Sequence, residues 1–464
     1  MQRVDIFDES VSTLRKIVRL AWPVTLAMVL HTSLNIVDMI WVSRLGREAV
    51  AAVTLAGLIF WATFALAQVF GTGVQALVAR AFGGREFNKA SRSLRDGLLL
   101  SMGTGVFAAA AISLLARKLL LLLGAEIAVA ERGVPYVLTM AVGTVFAMGS
   151  FTLVSALRAT GDMMTPLKLN ALSWIVNLVL DPLLIFGIGP FPQLGICGAG
   201  VATATAIFVA LAGGLFLVQR PESPLHIRFG VATSAQALKD LFAVGLPGGF
   251  HYVLLSLGQM IMMRIVAGFG TAAVAAAGIG TRVTQISFVA TMGLGTAVAT
   301  MVGQYLGAGK LQSAERTVTM ACRATFVLAA AISLAYAFFP TAFLTPFKVG
   351  PEVIAVGIVY FRISSLTLIF VMITITITRA FQGAGDTVWP TAVAALRLAL
   401  FLALVALARW MTNLDPAMVW LVMGLSAVAQ TLVVLWIFSL GTWKHRRLLS
   451  VERDVPEGEA VAES

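Results

Sequence analysis

Long apolar segments are the feature that most limits how this chain can fold. Hydropathy delimits twelve of them. Each is long enough to cross a bilayer as a helix, which takes about 20 residues. Only 12% of the 464 residues are charged and 59% are hydrophobic, whereas a soluble domain has about 25% charged residues. The sequence therefore predicts an all-α integral membrane protein. The predicted spans are 20–43, 49–76, 96–116, 132–156, 168–187, 198–219, 242–267, 273–300, 318–339, 353–379, 391–410 and 417–440.

The net charge of +11 predicts the orientation of the chain rather than a nucleic-acid partner. Most of the 33 lysines and arginines fall in loops on one side of the predicted bundle, as the positive-inside rule requires of cytoplasmic loops. We therefore expect both termini in the cytoplasm, no nucleic acid and no cleaved signal peptide. Arg282, Arg362 and Arg397 fall inside spans, where they could repel cations or pair with backbone carbonyls.

The second half of the sequence repeats the first at a shift of 224 residues. Proline, glycine and aspartate coincide at this shift, and such residues are not demanded everywhere by lipid. Each copy has six spans, so both enter from the same side, which predicts parallel rather than inverted repeats. We expect two lobes, residues 1–222 and 223–464, the second ending in a cytoplasmic tail. The coinciding pairs include Pro23 with Pro247, Gly46 with Gly270, Gly83 with Gly307, Tyr136 with Tyr360, Asp162 with Asp386 and Pro166 with Pro390.

Two acidic residues, Asp38 and Asp181, are predicted to lie at membrane depth. Their partners under the repeat are Met262 and Val405, so only the first lobe has these carboxylates. Because an acid is costly inside a membrane, each one indicates a functional site.

Polar residues accompany each acid at helical spacing. His31, Asn35 and Asp38 share one face of the first span, and Asn170, Trp174, Asn177 and Asp181 share one face of the fifth. If the two faces meet, they form a polar pocket that could bind Na⁺ or hold protons. The alternatives are that the asparagines only bond neighbouring helices and that His31 is structural. Pro23 could bend the first helix during function or kink it permanently.

Five motifs make the chain resemble the multidrug and toxic compound extrusion family over Leu14–Trp443. They are NIVDMIWVSRLG, NLVLDPLLIFG, GAGVAT, RATGD and QGAGD. The resemblance implies a V-shaped, two-lobed antiporter of the bacterial inner membrane. Such a protein exports amphipathic, often cationic drugs in exchange for H⁺ or Na⁺ by alternating access.

The resemblance also implies roles for particular residues. Asp38, Asn177, Asp181 and Thr203 match the family's cation-coupling site, and Pro23 matches its helix-bending proline. We expect Asp38 and Asp181 to be the ligands if the ion is Na⁺. The candidate substrate-lining or relay residues are His31, Asn35, Asn170, Trp174 and Tyr136. Some relatives have a further cation-coupling acid on the seventh or tenth span. This sequence has Leu255 on the seventh span and no acid inside the tenth, which is typical of the DinF-like branch.

Other classes of protein fit the sequence less well. A flippase for lipid-linked oligosaccharides shares the architecture, but we expect it to have more basic residues in its central cavity. An enzyme is not predicted, because the four histidines are scattered and no HExxH, GxSxG or phosphate loop occurs. A channel would need a ring of filter residues. We expect no cofactor beyond the coupling ion, small amphiphiles and lipid as partners, and a monomer.

Overall fold

Twelve long helices make up almost the whole molecule. The structure, a computed structural model, describes residues 4–227, 233, 235–411, 414–446 and 448, with every side chain except that of Asn35. These residues contain no strand, and twelve of the helices are long and apolar enough to cross a membrane. The all-α, twelve-span prediction is confirmed. The helices are α1 (Thr13–Ser43), α2 (Arg47–Gly83), α3 (Phe87–Leu122), α4 (Ile127–Ala159), α5 (Met164–Phe186), α6 (Ile196–Val218), α7 (Ala235–Ala267), α8 (Thr271–Gly307), α9 (Leu311–Phe338), the short α10 (Pro340–Leu344), α11 (Pro351–Ala384), α12 (Val388–Met411) and α13 (Pro416–Ser439).

The helices pack as two bundles with the same internal arrangement. In the first bundle, α4 lies at the centre against α2, α3 and α6, while α5 packs on α1 and α6. In the second, α11 takes the central place against α8, α9 and α13, while α12 packs on α7 and α13. Each contact in one bundle therefore has its counterpart in the other, in agreement with the repeat. We call α1–α6 the N lobe and α7–α13 the C lobe.

Two glycines join the lobes where α2 and α8 end. Gly83 lies against the backbone carbonyl of Gln304, and Gly307 lies against that of Arg80. These two contacts exchange under the 224-residue shift, which places the lobes around an approximate two-fold axis. A side chain at either glycine would overlap the facing carbonyl, so glycine is required for this close approach. Gln304 adds a bond, since its Nε2 donates to the Ala159 carbonyl at 2.7 Å.

The first turns of α1 and α7 cross between the lobes near this joint. Ile17 and Leu20 of α1 are buried in an apolar cluster formed mostly by the C lobe. Their repeat counterparts, Leu241 and Val244 of α7, are buried in a cluster formed mostly by the N lobe. The lobes therefore share two cores at this end of the molecule, which we call the closed end.

The lobes separate away from the closed end. Residues of α2 are buried almost without interruption from Ala67 to Gly83, but Trp61, two turns earlier, is 60% exposed. The same asymmetry occurs in α8, whose long buried stretch begins at Thr291. The result is a V-shaped pair of lobes with a cleft between them, as the sequence predicted. We call the opposite end, where α1 and α5 finish, the open end.

Both ends of the chain lie across the joint as straps. In the N-terminal strap, residues 4–7, the Ile6 carbonyl accepts bonds from Lys16 Nζ and Tyr305 Oη, each at 2.8 Å. In the C-terminal strap, residues 443–446 and 448, Arg80 donates to the Arg446 carbonyl and Leu448 is buried in the N-lobe core. Each strap thus connects helices of both lobes.

The connection between the lobes begins on the N lobe. The His226 backbone N–H donates to Ser91 Oγ at 3.1 Å, and Leu225 is buried in the N-lobe core. Residues 228–232 and 234 of this connection, and the tail 449–464, lie outside the described residues. The division at residue 222 stays a prediction.

Candidate functional site

The packing of α1 on α5, and of α5 on α6, brings together the polar residues predicted from the sequence. Asp38 lies near the end of α1, and Asn177 and Asp181 lie one turn apart near the end of α5. All three helices meet closer to the open end than to the closed end. Asn177 and Asp181 are fully buried, and Asp38 is partly buried.

The amide of Asn177 is the centre of a four-residue cluster. Its Nδ2 donates to Asp38 Oδ1 at 2.9 Å and to Asp181 Oδ2 at 3.3 Å, while its oxygen accepts from Thr203 Oγ1 at 3.1 Å. This orientation of the amide is assigned from the hydrogen-bond network, because it satisfies both of its ends. The carboxyls of Asp38 and Asp181 also lie within hydrogen-bonding reach of each other. Two carboxylates this close repel each other, so a proton or a cation bound between them would be stabilising. We call these four residues the acid cluster.

The surroundings of the acid cluster supply one aromatic hydroxyl and one free backbone oxygen. Tyr136 of α4 is half-buried, and its hydroxyl is within electrostatic reach of the carboxylates of Asp38 and Asp181. Gly200 of α6 lets the Tyr136 ring approach, since a Cβ there would press on Tyr136 and Thr139. Pro182 has no N–H to offer the Leu178 carbonyl, so this oxygen lacks its usual helical donor. Sequence analysis missed this oxygen, although Pro182 beside Asp181 was the signal.

The other predicted residues are not joined to the acid cluster by a hydrogen bond among the described side chains. His31 of α1 is exposed, and Asn170 and Trp174 lie nearer the closed end of α5. Trp174 Nε1 is buried without an acceptor in the described part of the chain. The side chain of Asn35 lies outside the described residues. Pro23 is buried within α1, which continues unbroken past it.

The equivalent place in the C lobe is apolar. The repeat counterparts of the cluster are Met262, Phe401, Val405 and Ala427, and all four are buried. Three of them belong to one hydrophobic cluster. The acid cluster is therefore a feature of the N lobe alone.

The arginines predicted inside spans have different surroundings. Arg282 and Arg362 are exposed, whereas Arg397 is partly buried and donates to Gln430 Oε1 at 3.3 Å. Arg397 thus pairs with a side-chain amide, which was not among the alternatives drawn from the sequence.

A two-lobed bundle of twelve helices, duplicated in parallel and carrying buried acids in one lobe, has the architecture of a secondary transporter. Residues 23–183 and 247–408 match the MatE family model. The two matched segments begin 224 residues apart and together cover most of the chain. The chain belongs to the MatE family, the multidrug and toxic compound extrusion transporters.

Several known proteins resemble this chain over much of its length. A protein of Shewanella oneidensis named "FAD transporter" is 28% identical over 345 residues, 73% of this chain and 75% of that protein. The "Probable multidrug resistance protein NorM" of Thermotoga maritima is 26% identical over 451 residues, 96% of each chain.

Solved structures of MATE transporters share the fold. A structure described as the outward-facing conformation of a multidrug resistance MATE family transporter superimposes with a TM-score of 0.85 at 23% identity, covering 94% of this chain and 98% of that one. A MATE structure in the bent conformation gives a TM-score of 0.86 at 24% identity, covering 93% and 98%. The family consists of transporters and not enzymes, and its match does not favour the flippase alternative. Membership of the DinF-like branch stays a prediction.

Proposed function

We propose that this protein is a cation-coupled antiporter that exports amphipathic organic compounds across the bacterial inner membrane. The single observation that carries the proposal is the acid cluster, in which Asn177 bonds Asp38, Asp181 and Thr203. Two of its four residues are fully buried, it occurs in one lobe only, and it presents oxygen atoms on three helices. A cation or proton that binds there connects α1, α5 and α6, so that its binding can change how these helices pack.

The cluster is suited to either coupling ion. Two carboxylates, the Thr203 hydroxyl and the Leu178 carbonyl are oxygen donors of the kind that hard cations such as Na⁺ prefer. The same two carboxylates, in mutual contact, can hold a proton between them. In both cases the ion neutralises one charge of a buried pair. Coupling then requires that the ion binds one conformation of the transporter more tightly than the other.

The distribution of basic residues supports an orientation. We propose that the closed end faces the cytoplasm, with both termini there, because the loops and helix starts at that end are rich in lysine and arginine. The cleft then opens outward, and the acid cluster near the open end is reached from outside. One chain contains both lobes and the whole cluster, so we propose a monomer as the functional unit. The basic residues at the closed end include Arg15, Arg19, Arg85, Lys89, Arg92, Lys168, Lys310 and Arg316.

The transport cycle in this proposal alternates between two arrangements of the lobes. When the closed end parts, an amphiphile enters between the lobes from the cytoplasm. When the joint at Gly83 and Gly307 re-forms, the cleft opens outward, and ion binding at Asp38 and Asp181 lowers the affinity for the cargo. Pro23 lies in α1 between the crossing first turns and the acid cluster, so bending there would move Asp38 relative to the joint. The roles of the predicted lining residues His31, Asn35, Asn170, Trp174 and Tyr136 belong to this proposal.

Drug efflux in inverted membrane vesicles tests the proposal. Efflux is driven separately by a proton gradient and by a sodium gradient in the wild type, Asp38→Asn and Asp181→Asn. We expect the driven efflux of each variant to fall at least about tenfold, because coupling depends on ion binding at the paired acids, while the variant still binds drug. The gradient that drives the wild type identifies the ion.

A matched control is the C-lobe variant Glu352→Gln, which neutralises an exposed acid in the first turn of α11. It should transport as the wild type does. Normal pumping by both aspartate variants would show that the two acids are structural and that the coupling proposal is wrong.

A further inference from the structure

Four basic side chains gather near the floor of the cleft, where the lobes begin to separate. They are Arg158 of α4, His251 of α7, Arg379 of α11 and Arg397 of α12. Their repeat counterparts, Gln382, Ala27, Ser155 and Ser173, are all uncharged. Like the acid cluster, these residues are therefore charged or basic in one copy of the repeat and uncharged in the other, but they are basic instead of acidic. We call them the basic floor.

Arg158 and Arg379 bring together guanidinium groups from opposite lobes. Both lie against α8, because Thr300 Oγ1 donates to the Arg158 carbonyl at 3.0 Å, and the two charges are within electrostatic reach of each other. Arg379 lies over Gly295 of α8 and donates to Gln382 Oε1 at 3.1 Å and toward Met292 Sδ at 3.5 Å. Arg158 Nε is buried and has no hydrogen-bond partner in the described part of the chain. Among the described residues, no carboxylate forms a salt bridge with either arginine.

His251 extends the basic floor toward α12. Its side chain is only 7% exposed, and its Nδ1 has no hydrogen-bond partner among the described residues. The imidazole lies near the Pro390 carbonyl and within the electrostatic reach of Arg379 and Arg397. Arg397 donates a hydrogen bond to a neutral oxygen, that of Gln430, and forms no salt bridge with a described carboxylate. The floor thus has several positive charges and donors, and no described acid balances them.

Uncompensated charges of one sign are costly in a partly buried site. A negatively charged group that bound between the guanidiniums would accept charge-assisted hydrogen bonds, which are about twice as strong as neutral ones. It would also remove the repulsion between Arg158 and Arg379. The electrostatics of the floor therefore favour an anion as its ligand.

An aromatic cluster borders the basic floor on its open side. The Phe64 ring of α2 stacks on Trp61 with centroids 5.2 Å apart, and it meets Phe151 of α4 at 5.6 Å and Tyr252 of α7 at 6.2 Å. Tyr252 in turn lies edge-on to His251 at 5.8 Å. These rings come from both lobes and lie where α2 packs on α7. Trp61 is exposed and the other rings are partly exposed. They can stack on a planar ring of a ligand while its charged group reaches the floor.

We propose that the cleft binds aromatic amphiphiles that carry a phosphate or carboxylate, with the anionic group held by Arg158 and Arg379 beside His251. This inference rests on the proposed function, because it takes the cleft as the path of the cargo, and it assigns that cargo a chemical class. It differs from the cationic cargo expected from the family resemblance. Charge is therefore the property by which the two expectations can be separated.

Three planar aromatic probes that differ in charge test the proposal. FMN is riboflavin with one phosphate, riboflavin has the same flavin ring without it, and ethidium is a flat aromatic cation. Their affinities are measured by fluorescence on the full-length wild type, Arg158→Gln and Arg379→Gln in lipid nanodiscs. We expect the wild type to bind FMN at least about tenfold more tightly than riboflavin, as one or two charged hydrogen bonds imply. Each variant should lose that advantage and keep its affinity for riboflavin, which also shows that it is folded.

The matched control is Arg323→Gln, because Arg323 is an exposed arginine on the outer side of the C lobe. It should leave all three affinities unchanged. Tighter binding of ethidium than of FMN by the wild type, or equal loss of FMN affinity in Arg323→Gln, would overturn the proposal. Such a result would leave the antiporter itself standing if Asp181→Asn still abolished ion-driven efflux, so the two failures are distinguishable.

Discussion

The two lobes have the same scaffold and opposite chemistry. The N lobe buries two carboxylates near the open end, whereas the counterparts in the C lobe form an apolar core around Met262, Phe401 and Val405. The C lobe supplies three of the four basic residues at the floor of the cleft. The two glycines of the joint, Gly83 and Gly307, are instead kept in both copies. The difference teaches that duplication preserves the backbone contacts on which the joint depends and leaves pocket side chains free to diverge.

The joint shows why divergence is not uniform. Gly83 and Gly307 each face a carbonyl of the other lobe, so neither copy can accept a side chain there. A second pair of close approaches obeys the same symmetry: Gly249 packs on Val69, and Gly293 packs on Thr25. Here one member of each pair is glycine and the other is not. Close packing needs only one small residue at each contact. The residue that faces the glycine can therefore differ between the two copies.

The largest effect is expected from placing an acid in the C lobe where the N lobe has Asp181. Val405 is 9% exposed and lies in an apolar cluster, so Val405→Asp buries a carboxylate without the amide that Asn177 provides in the N lobe. We expect a loss of about 3 kcal/mol or more in the free energy of unfolding. Val405→Ala should cost less, about 2 kcal/mol. Thermal melting of the two purified variants measures both. A stable Val405→Asp that gained a second ion dependence would show that the lobes are chemically interchangeable.

Substitution of either glycine of the joint is expected to destabilise the closed end by the same, intermediate amount. Gly83→Val and Gly307→Val both push a side chain into a backbone carbonyl, which costs about 1–3 kcal/mol and favours parting of the closed end. The repeat-related positions Glu86 and Lys310 lie just beyond these glycines, so spin labels there report the separation. Cys197 and Cys322, the two native cysteines, are first replaced by serine. Gly57→Val, with open space around its Cβ, is the control. Markedly different shifts in the two variants would contradict a symmetric joint.

The smallest effects, of opposite sign, are expected at the equivalent turns that hold Asp162 and Asp386. Asp162 accepts from the Thr165 backbone N–H at 2.9 Å and from Thr165 Oγ1 at 2.7 Å. Asp162→Ala should therefore lower the free energy of unfolding by about 1 kcal/mol, which thermal melting measures.

Burial raises the pKa of Asp386, and Arg446 offsets this only partly. The folded state therefore binds the proton of Asp386 more tightly than the unfolded state does. Stability from this group is greatest at acidic pH and falls as the pH rises past the ordinary value of 3.8. Asp386→Asn should then raise the melting temperature slightly at pH 7 and flatten its decline between pH 4 and pH 7. An unchanged pH profile would assign the decline to other groups.

The sequence predicted the fold and the acid cluster well, because the signals were local or periodic. Apolar length marked the twelve helices, and helical spacing placed Asp38 and Asp181 on faces that the packing of α1 on α5 then joined. The basic floor was not predicted from the sequence. Arg397 was placed inside a span, but Arg158 lies just beyond the predicted span 132–156 and Arg379 is the last residue of the predicted span 353–379. Their meeting depends on the contact between lobes, which has no period in the sequence. Comparison with Ser155 and Gln382 in the repeat was the available signal.

The two straps have a practical consequence for anyone who labels or fuses this protein. Ile6 is held between α1 and α8, and Leu448 is held in the core of the other lobe from the one that carries α13. A tag placed next to residue 4 or residue 448 would therefore lie beside the joint between the lobes. In the proposed transport cycle the lobes separate at this joint, so the contacts of both straps would break and re-form. A bulky fusion partner close to either strap would hinder that movement, and a long flexible spacer between tag and strap avoids this.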